Sequence, residues 1–400
     1  MAEKIVLLGA TGSIGRQTLD LLKYSWDYEL VGVSLFSRHA LLEPYLPYFP
    51  SLRYVAIEEE KAAEEFRLLH PTLEVLSGKD CSLSLLRKVQ EGTVFNALMG
   101  ISGLLPSLVA IEQGRDLLLS NKESLVIGSS LLLAELKNSS THLYPVDSEH
   151  VALAKILAEL KERKIPRSDI LELIVTASGG SLRDSTREEL SSVTPEKVLS
   201  HPTWSMGKKI TVDSATMVNK GYETIEAEVL FSFPLEQISA VICRESLVHA
   251  LVRYREDGKE KVLYEYSPVD MKVAIGYALS KGRTRWHKPD REDERKVALL
   301  HFQKLDTAFY PLFSRTRETF LRYGNLGMLL YDAVDSLAIS SFLRKELSYL
   351  GIEKALFEVE RTDFSSAPEW CRENLENCQA WAKEKSEQIV DSIQKGEHQS

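Results

Sequence analysis

Residues 4–15 read KIVLLGATGSIG. Lys4 to Leu8 is a short apolar strand that runs straight into Gly9-Ala10-Thr11-Gly12-Ser13-Ile14-Gly15, and the following residues carry Leu19, Leu21 and Leu22 at helical spacing. A strand, a glycine turn and a helix in this order place a dinucleotide pyrophosphate on a helix N-terminus, where backbone N–H groups meet the anion. The spacing is GxxGxxG, a variant of the stricter GxGxxG, so its position between strand and helix carries much of the reading.

The next strand, Glu29 to Leu35, should end near the adenosine ribose. An acid there would bind the 2′-hydroxyl of NAD, whereas this chain reads Phe36-Ser37-Arg38-His39, with a cation that suits the 2′-phosphate of NADP. An ordinary loop arginine is the alternative. Further strands at Tyr54–Ile57, Thr93–Met99 and Asp116–Leu119 alternate with helical segments such as Leu105–Gln113, and the last leads into Ser120-Asn121-Lys122-Glu123. This rhythm predicts an α/β fold with a doubly wound parallel sheet, a Rossmann-type domain over residues 1–146.

Two polar clusters follow. The run Leu143–Val146 delivers Asp147, Ser148, Glu149 and His150 to the start of a helix. In an extended backbone Asp147 and Glu149 point to the same side, and paired carboxylates call for a cation or a proton between them. Hard oxygen donors suit Mg²⁺ or Mn²⁺ rather than zinc. The competing reading is an N-capping cluster before an apolar helix. The second cluster is His201–Glu228, HPTWSMGKKITVDSATMVNKGYETIEAE. Its KITVD segment, Lys209–Asp213, alternates like a strand, with Ser214 in the turn and a helix from Thr216 to Leu230 that puts Asn219 and Glu223 on one face beside Lys220. Such groups can hold a phosphate and a metal-bound polyol, with Glu223 as a third carboxylate ligand; a solvated, capped helix start is again the bland alternative.

Between them, the strand Leu171–Thr176 leads into Ala177-Ser178-Gly179-Gly180, a turn whose amides can meet a phosphate or which is simply a surface turn. Ser181–Lys208 is polar and rich in turn formers yet contains Trp204 and Met206, which reads as a flap whose aromatic covers a bound ligand.

Composition limits the options. In 400 residues, 49 basic against 58 acidic side chains leave a net charge of −9, which disfavours nucleic acid as a partner. The four cysteines, Cys81, Cys243, Cys371 and Cys378, lack metal-ligand spacing and read as reduced thiols of a cytoplasmic protein. The start, Met-Ala-Glu-Lys, lacks a targeting signature, and no run approaches the ~20 apolar residues that span a bilayer, so no membrane partner is expected. The charged stretch 280–305 reads as a linker, and helical spacing over Ala308–Tyr323, Leu326–Glu346 and Pro368–Ile393 predicts a small C-terminal helical domain, 306–400, fraying from Gly396.

The ordered set GATGSIG, SNKESLV, PVDSEH, TASGG, HPTWSMGKKITVDSATMVNKGYETIEA and VDMK resembles the 1-deoxy-D-xylulose 5-phosphate reductoisomerase family over roughly Lys4–Leu279. The resemblance implies an NADPH-dependent isomerisation and reduction of a phosphorylated sugar with Mg²⁺, Mn²⁺ or Co²⁺, in a central catalytic domain, 147–279, whose mobile flap is 181–208. It implies metal ligands Asp147, Glu149 and Glu223, with Ser148 touching substrate beside them. Ser178, Ser214, Asn219 and Lys220 would bind the phosphate and hydroxyls, while His201 closes on the substrate and Trp204 packs over its carbon skeleton. Thr11, Gly12, Ser13 and Ile14 would take the cofactor pyrophosphate, with Ser37 and Arg38 at the adenosine end. Asn121, Lys122, Glu123, Gly207 and Met271 would lie on the nicotinamide side, Lys122 serving catalysis; His150 and His249 are supports. A homodimer is expected on the same ground.

The chain departs from the family at Cys243-Arg244-Glu245-Ser246, where an HPQS run is typical, and at Ser181-Leu182, where Pro-Phe is common. It departs again at Tyr331-Asp332-Ala333-Val334-Asp335-Ser336, in place of an NAANE-like segment. The alternatives are another NADP-dependent dehydrogenase of a phosphorylated substrate or of aspartate semialdehyde, and a catalytically silent NADP-binding homologue. The paired PVDSEH and VDSATMVNKGYE blocks argue against the first, and the surviving carboxylates against the second.

Overall fold

A computed structural model describes residues 2–283 and 299–398. The chain forms two units: the first runs through Val151 and resumes at Asp270, and the second runs from Ala152 to Val269 and takes the chain beyond residue 298.

In the first unit the expected alternation is present: β1 (Glu3–Leu8), α1 (Ser13–Leu22), β2 (Tyr28–Leu35), β3 (Tyr54–Ile57), α2 (Glu60–Leu69), β4 (Glu74–Ser77), α3 (Cys81–Lys88), β5 (Thr93–Asn96), α4 (Leu104–Glu112), β6 (Leu117–Leu119), α5 (Lys122–Ile127), α6 (Ser129–Leu136) and β7 (Leu143–Pro145). The strands form one parallel sheet in the order β4-β3-β2-β1-β5-β6-β7. Successive strands step outward one way from β1 and then the other way from β5, so the topological switch point lies between these two, where ligands of open α/β sheets sit. Helix α1 shows why the sequence folds this way: Gly15, Thr18, Leu19 and Leu22 fall on one stripe and are buried on the sheet.

Helix α7 (Ser148–Glu162) carries the chain from the first unit into the second. There β8 (Ile170–Ala177), α8 (Pro195–Leu199), α9 (Lys208–Thr216), α10 (Val218–Phe231), β9 (Ile238–Cys243), β10 (Val248–Glu256) and β11 (Lys259–Tyr266) follow. With β12 (Phe302–Lys304), the strands make a mixed sheet ordered β11-β10-β8-β9-β12, in which β8 and β9 are parallel and the other pairs antiparallel. Its core gathers Leu153, Ile156, Leu173, Val175, Ile238 and Val252.

Three expectations change. The KITVD segment is helical: α9 ends at Thr216, and buried Met217, in the left-handed region at φ 64°, turns the chain into α10. Five residues of alternation also fit helical spacing, and here Val212, Ala215 and Thr216 share the buried side while Lys209 and Asp213 pair at i, i+4. Second, the central domain does not extend to residue 279. Helix α11 (Met271–Leu279) buries Ile275 and Ala278 in the core of the first unit, where Tyr28 also donates to the Leu279 carbonyl at 2.7 Å and Lys281 pairs with Glu3 and Asp116, each at 2.8 Å. Most of the expected linker 280–305 lies outside the described residues.

Third, the C-terminal helices belong to the second unit, α12 (Pro311–Leu343), α13 (Tyr349–Glu358) and α14 (Leu375–His398), and α13 was not expected. The two helices expected over 308–346 are present within α12, separated by a kink at non-helical Gly324. Among the described residues, α12 is the one helix long and apolar enough to cross a bilayer, contrary to the hydropathy reading. Its most apolar stretch is 61% buried, with Met328, Leu330, Tyr331 and Phe342 inside the unit, which accounts for its hydrophobicity as a core helix.

Candidate active site

The nucleotide end of the first unit rests on close backbone approach. Gly9 sits at φ +80°, and a Cβ there would stand 2.4 Å from the Ala97 carbonyl oxygen; one on Gly15 would stand 2.2 Å from the Gly9 oxygen. The turn is tied to β2, since the Gly9 and Ala10 N–H groups donate to the Ser34 carbonyl at 3.0 and 2.8 Å. Gly12 precedes α1 and supplies no side-chain cap, which leaves the helix start, with Ser13 and Ile14, suited to an anion. Thr11 is buried beside it. Ser37 is half-buried and Arg38 exposed just past the end of β2, and Met271 packs on the same unit from α11.

Asn121 has a structural task. Its Nδ2 donates to the Leu98 and Gly100 carbonyls at 2.7 and 2.8 Å, and its Oδ1 accepts the Ser124 N–H at 2.7 Å, capping α5. Both amide hydrogens are thus spent on the loop after β5, so the side chain fixes that loop rather than reaching out from it. Glu123 follows, half-buried. Lys122 Nζ stands 2.8 Å from Asp147 Oδ2, while His150 Nδ1 is 2.9 Å from Asp147 Oδ1. Burial alone would push the Asp147 carboxyl up; Lys122 and His150 outweigh it and hold the group well below the usual carboxylate range. Asp147 also accepts the Glu149 N–H at 3.1 Å, as the capping reading expects, and Ser148 Oγ donates to Glu149 at 2.7 Å.

In the second unit His201 is the centre. Its Nε2 lies 3.0 Å from Ser178 Oγ and 3.4 Å from Ser214 Oγ, and its Nδ1 accepts the backbone N–H groups of Trp204 at 2.9 Å and Thr203 at 3.2 Å. An Nδ1 that accepts cannot carry a proton, so the ring is the neutral tautomer with Nε2–H directed at the serines. Burial, reinforced by the Arg183 charge, lowers the imidazole pKa, in accord with that tautomer. The Trp204 indole meets His249 edge-on, with centroids 6.1 Å apart. Gly179 and Gly180 both have positive φ; a Cβ on Gly180 would stand 2.7 Å from Ala215 Cα, so the turn after β8 lies directly on the end of α9 beside Ser214.

On α10, Asn219 and Lys220 both donate to the Glu223 carboxylate. Lys220 and Glu223 are buried, and burying both charges carries a desolvation cost that offsets much of their attraction. Gly207 is exposed before α9, and a Cβ there would meet nothing within 4 Å. Sequence reasoning missed Arg183, whose Nη1 donates to the Ser178 carbonyl at 2.7 Å and the Arg244 carbonyl at 3.2 Å. A cation four residues beyond Gly179 was its only signal. At the departures, Leu182 is fully buried, Arg244 pairs with Asp184, and Glu245 with His301 at 2.7 Å.

A doubly wound unit with a glycine pyrophosphate turn, joined to a second α/β unit carrying a neutral histidine, serines and a Lys–carboxylate pair, defines the class of dinucleotide-dependent enzymes acting on small polar substrates. Three family models match: 1-deoxy-D-xylulose 5-phosphate reductoisomerase over residues 5–129, its C-terminal domain over 143–231, and the DXP reductoisomerase C-terminal domain over 266–385. The 1-deoxy-D-xylulose 5-phosphate reductoisomerase of Geobacillus sp. (strain WCH70) is 37% identical over 91% of this chain and 94% of its own length. That of Caldanaerobacter subterraneus subsp. tengcongensis is 37% identical over 89% and 91%. Among solved structures, DOX-P reductoisomerase in complex with NADPH, fosmidomycin and magnesium superposes with a TM-score of 0.84 at 26% identity, covering 98% of each chain. The Zymomonas mobilis 1-deoxy-D-xylulose 5-phosphate reductoisomerase in complex with NADPH gives 0.84 at 27% identity, covering 98% of this chain and all of that one. The chain belongs to the 1-deoxy-D-xylulose 5-phosphate reductoisomerase family.

Proposed function

We infer that this protein is an NADPH- and divalent-metal-dependent oxidoreductase that isomerises and reduces 1-deoxy-D-xylulose 5-phosphate to 2-C-methyl-D-erythritol 4-phosphate, in non-mevalonate isoprenoid biosynthesis. Family membership over nine-tenths of the chain supports it. The structural observation that carries the reading is the set of partners around two carboxylates. Lys122 and His150 stand 2.8 and 2.9 Å from Asp147, and Lys220 and Asn219 both donate to Glu223, an arrangement that supports both as oxygen donors.

These donors fit Mg²⁺ or Mn²⁺, and Asp147, Glu149 and Glu223 are the residues that would hold the ion. When bound, the ion supplies polarisation of the substrate ketone and a neighbouring hydroxyl, which eases breaking and remaking a carbon–carbon bond. The uncapped start of α1 and the glycines that only a bare backbone can fill fit the NADPH pyrophosphate, with Thr11, Gly12, Ser13 and Ile14 lining it and Ser37 and Arg38 at the 2′-phosphate. NADPH held there would supply the hydride for the reduction.

The protein's own groups then orient and enclose. Ser178, Ser214, Asn219 and Lys220 bind the phosphate and hydroxyls far from the reacting carbons, which makes their binding energy available for orientation. His201 offers an Nε2–H donor on the same side as the two serines, and Trp204 covers the carbon skeleton. Ser148 holds Glu149 in place. Lys122 keeps Asp147 ionised next to the nicotinamide side, which Asn121, Glu123, Gly207 and Met271 complete. The segment Ser181–Lys208 acts as a flap that keeps water from the site. The protein works as a cytoplasmic homodimer.

The test is loss of NADPH absorbance on adding 1-deoxy-D-xylulose 5-phosphate with Mg²⁺ or Mn²⁺, with EDTA and NADH controls and product identification. Metal-dependent oxidation giving methylerythritol phosphate is the expected result. No turnover by a protein that still binds NADPH would overturn the reading in favour of a silent homologue.

A further inference from the structure

The second unit holds two charged clamps that its proposed chemistry does not use, and they bracket residues 188–208, most of the flap. At one end, Arg187 makes a bidentate pair with Glu353 on α13, at 2.7 and 2.8 Å, and donates to the Phe309 carbonyl at 3.2 Å. At the other, Lys209 in the first turn of α9 stands 2.6 Å from Asp335 and 3.9 Å from Asp332, both on α12, and 3.0 Å from Asp213. The Asp335 side chain is fully buried and that of Glu353 is 8% exposed. Burial of this kind seldom adds stability, because taking the charges out of water offsets their attraction; what it supplies is a fixed geometry.

Two neutral bonds run from the same C-terminal part to the substrate-side loops. Tyr310 Oη donates to the Gly179 carbonyl at 2.9 Å and Tyr349 Oη to the Ala215 carbonyl at 3.0 Å. Gly179 follows Ser178 and Ala215 follows Ser214, the two serines that converge on His201. The C-terminal helices therefore grip the flap on both sides and the backbone next to both serines.

We propose that Asp335 and Glu353 are positioning residues that fix the two hinge points of the flap, Lys209 and Arg187, and so hold His201 in register with Ser178 and Ser214. Between the two clamps, residues 188–208 of the flap have no regular structure beyond short helical turns and α8. Around Lys209 the charges are Asp213 on α9 and Asp332 and Asp335 on α12; burial and the neighbouring Asp335 raise the Asp213 carboxyl well above its usual range, against the pull of Lys209. The Asp332 and Asp335 positions are where this chain departs from the NAANE-like segment, so the acidic clamp is a property of this chain's own residues.

This inference rests on the proposed function only for its kinetic arm. Limited trypsin digestion of the full-length, ligand-free protein, read at Lys197 and Lys208, compares wild type with Asp335→Asn and Arg187→Gln. Cleavage at least fivefold faster inside 188–208, with cleavage elsewhere and NADPH affinity within twofold of wild type, is expected. In turnover, KM for 1-deoxy-D-xylulose 5-phosphate should rise tenfold or more while KM for NADPH stays within twofold, and the reversed pair Arg187→Glu/Glu353→Arg should regain protection. Flap cleavage unchanged in both variants, or accelerated equally along the whole chain, overturns the proposal. Should Asp335→Asn fail to fold, Arg187→Gln, at a side chain 38% exposed, still decides it. A wild-type protein inert toward deoxyxylulose phosphate would sink the proposed function and leave the digestion result to judge the clamps.

Discussion

His201 presents Nε2 to Ser178 Oγ at 3.0 Å while its Nδ1 accepts the Trp204 N–H at 2.9 Å, so one ring holds the flap backbone on one side and the turn after β8 on the other. Protonating Nδ1 would break the contact with Trp204. The imidazole pKa, lowered by burial and then by Arg183, lies below 6.5, so the neutral form persists to a lower pH than in an exposed histidine. The folded state then binds fewer protons than the unfolded one just below 6.5, and this contribution to stability is lost as pH falls. The acid limb of kcat/KM should sit below 6.5 and move upward in Arg183→Gln; an imidazole titration by NMR checks it. His201→Gln should lower kcat/KM by about 100-fold.

Glu223→Gln should reduce metal-dependent turnover to about 1% or less of wild type, since the neutral amide is a poor ligand for a hard cation. NADPH affinity should be unchanged in a fluorescence titration. Normal turnover in the variant would remove Glu223 from the site.

Arg38→Ala should erode the preference for NADPH over NADH by about tenfold or more, the loss of one charge-assisted contact to the 2′-phosphate. The ratio of the two kcat/KM values measures it, and an unchanged ratio would leave Arg38 an ordinary loop residue.

The glycines separate close approach from mere flexibility. Gly15→Ala drives a Cβ into the Gly9 carbonyl and should abolish measurable NADPH binding. Gly276→Ala, in the interior of α11 where a Cβ meets nothing within 4 Å, should stabilise the protein by about 0.5–1 kcal/mol through helix propensity. Thermal melts with and without NADPH test both.

Burial pushes the Glu265 carboxyl up to about 8 although Lys155 stands 3.1 Å away. Between the ordinary glutamate range and that value the folded state holds a proton that the unfolded state has released, so stability falls as pH rises through this window. Urea denaturation at pH 5, 7 and 8.5 should show a decline on the order of 2 kcal/mol that Glu265→Gln removes.

Short-range pattern settled a great deal in this protein. The KIVLL run and the glycines after it specify β1, the turn and α1, because strand, turn and helix preferences there agree over a dozen contiguous residues. The cap at Asp147 and the helix face shared by Asn219, Lys220 and Glu223 were likewise legible as local geometry. The fold class followed from the alternation of such segments.

Tertiary contacts decided the rest. Lys209–Asp213 has an alternation that fits a strand, yet Asp335, 126 residues away, and burial of Val212 and Ala215 make it a helix. Helix α11 returns to the first unit because Ile275 and Ala278 find their core there, which no local spacing announces. Asp332 and Asp335 look like divergence in the sequence and prove to face a lysine. Helical and strand periods depend on neighbours along the chain, whereas the fate of a buried charge or an apolar face depends on partners that only the folded chain brings together.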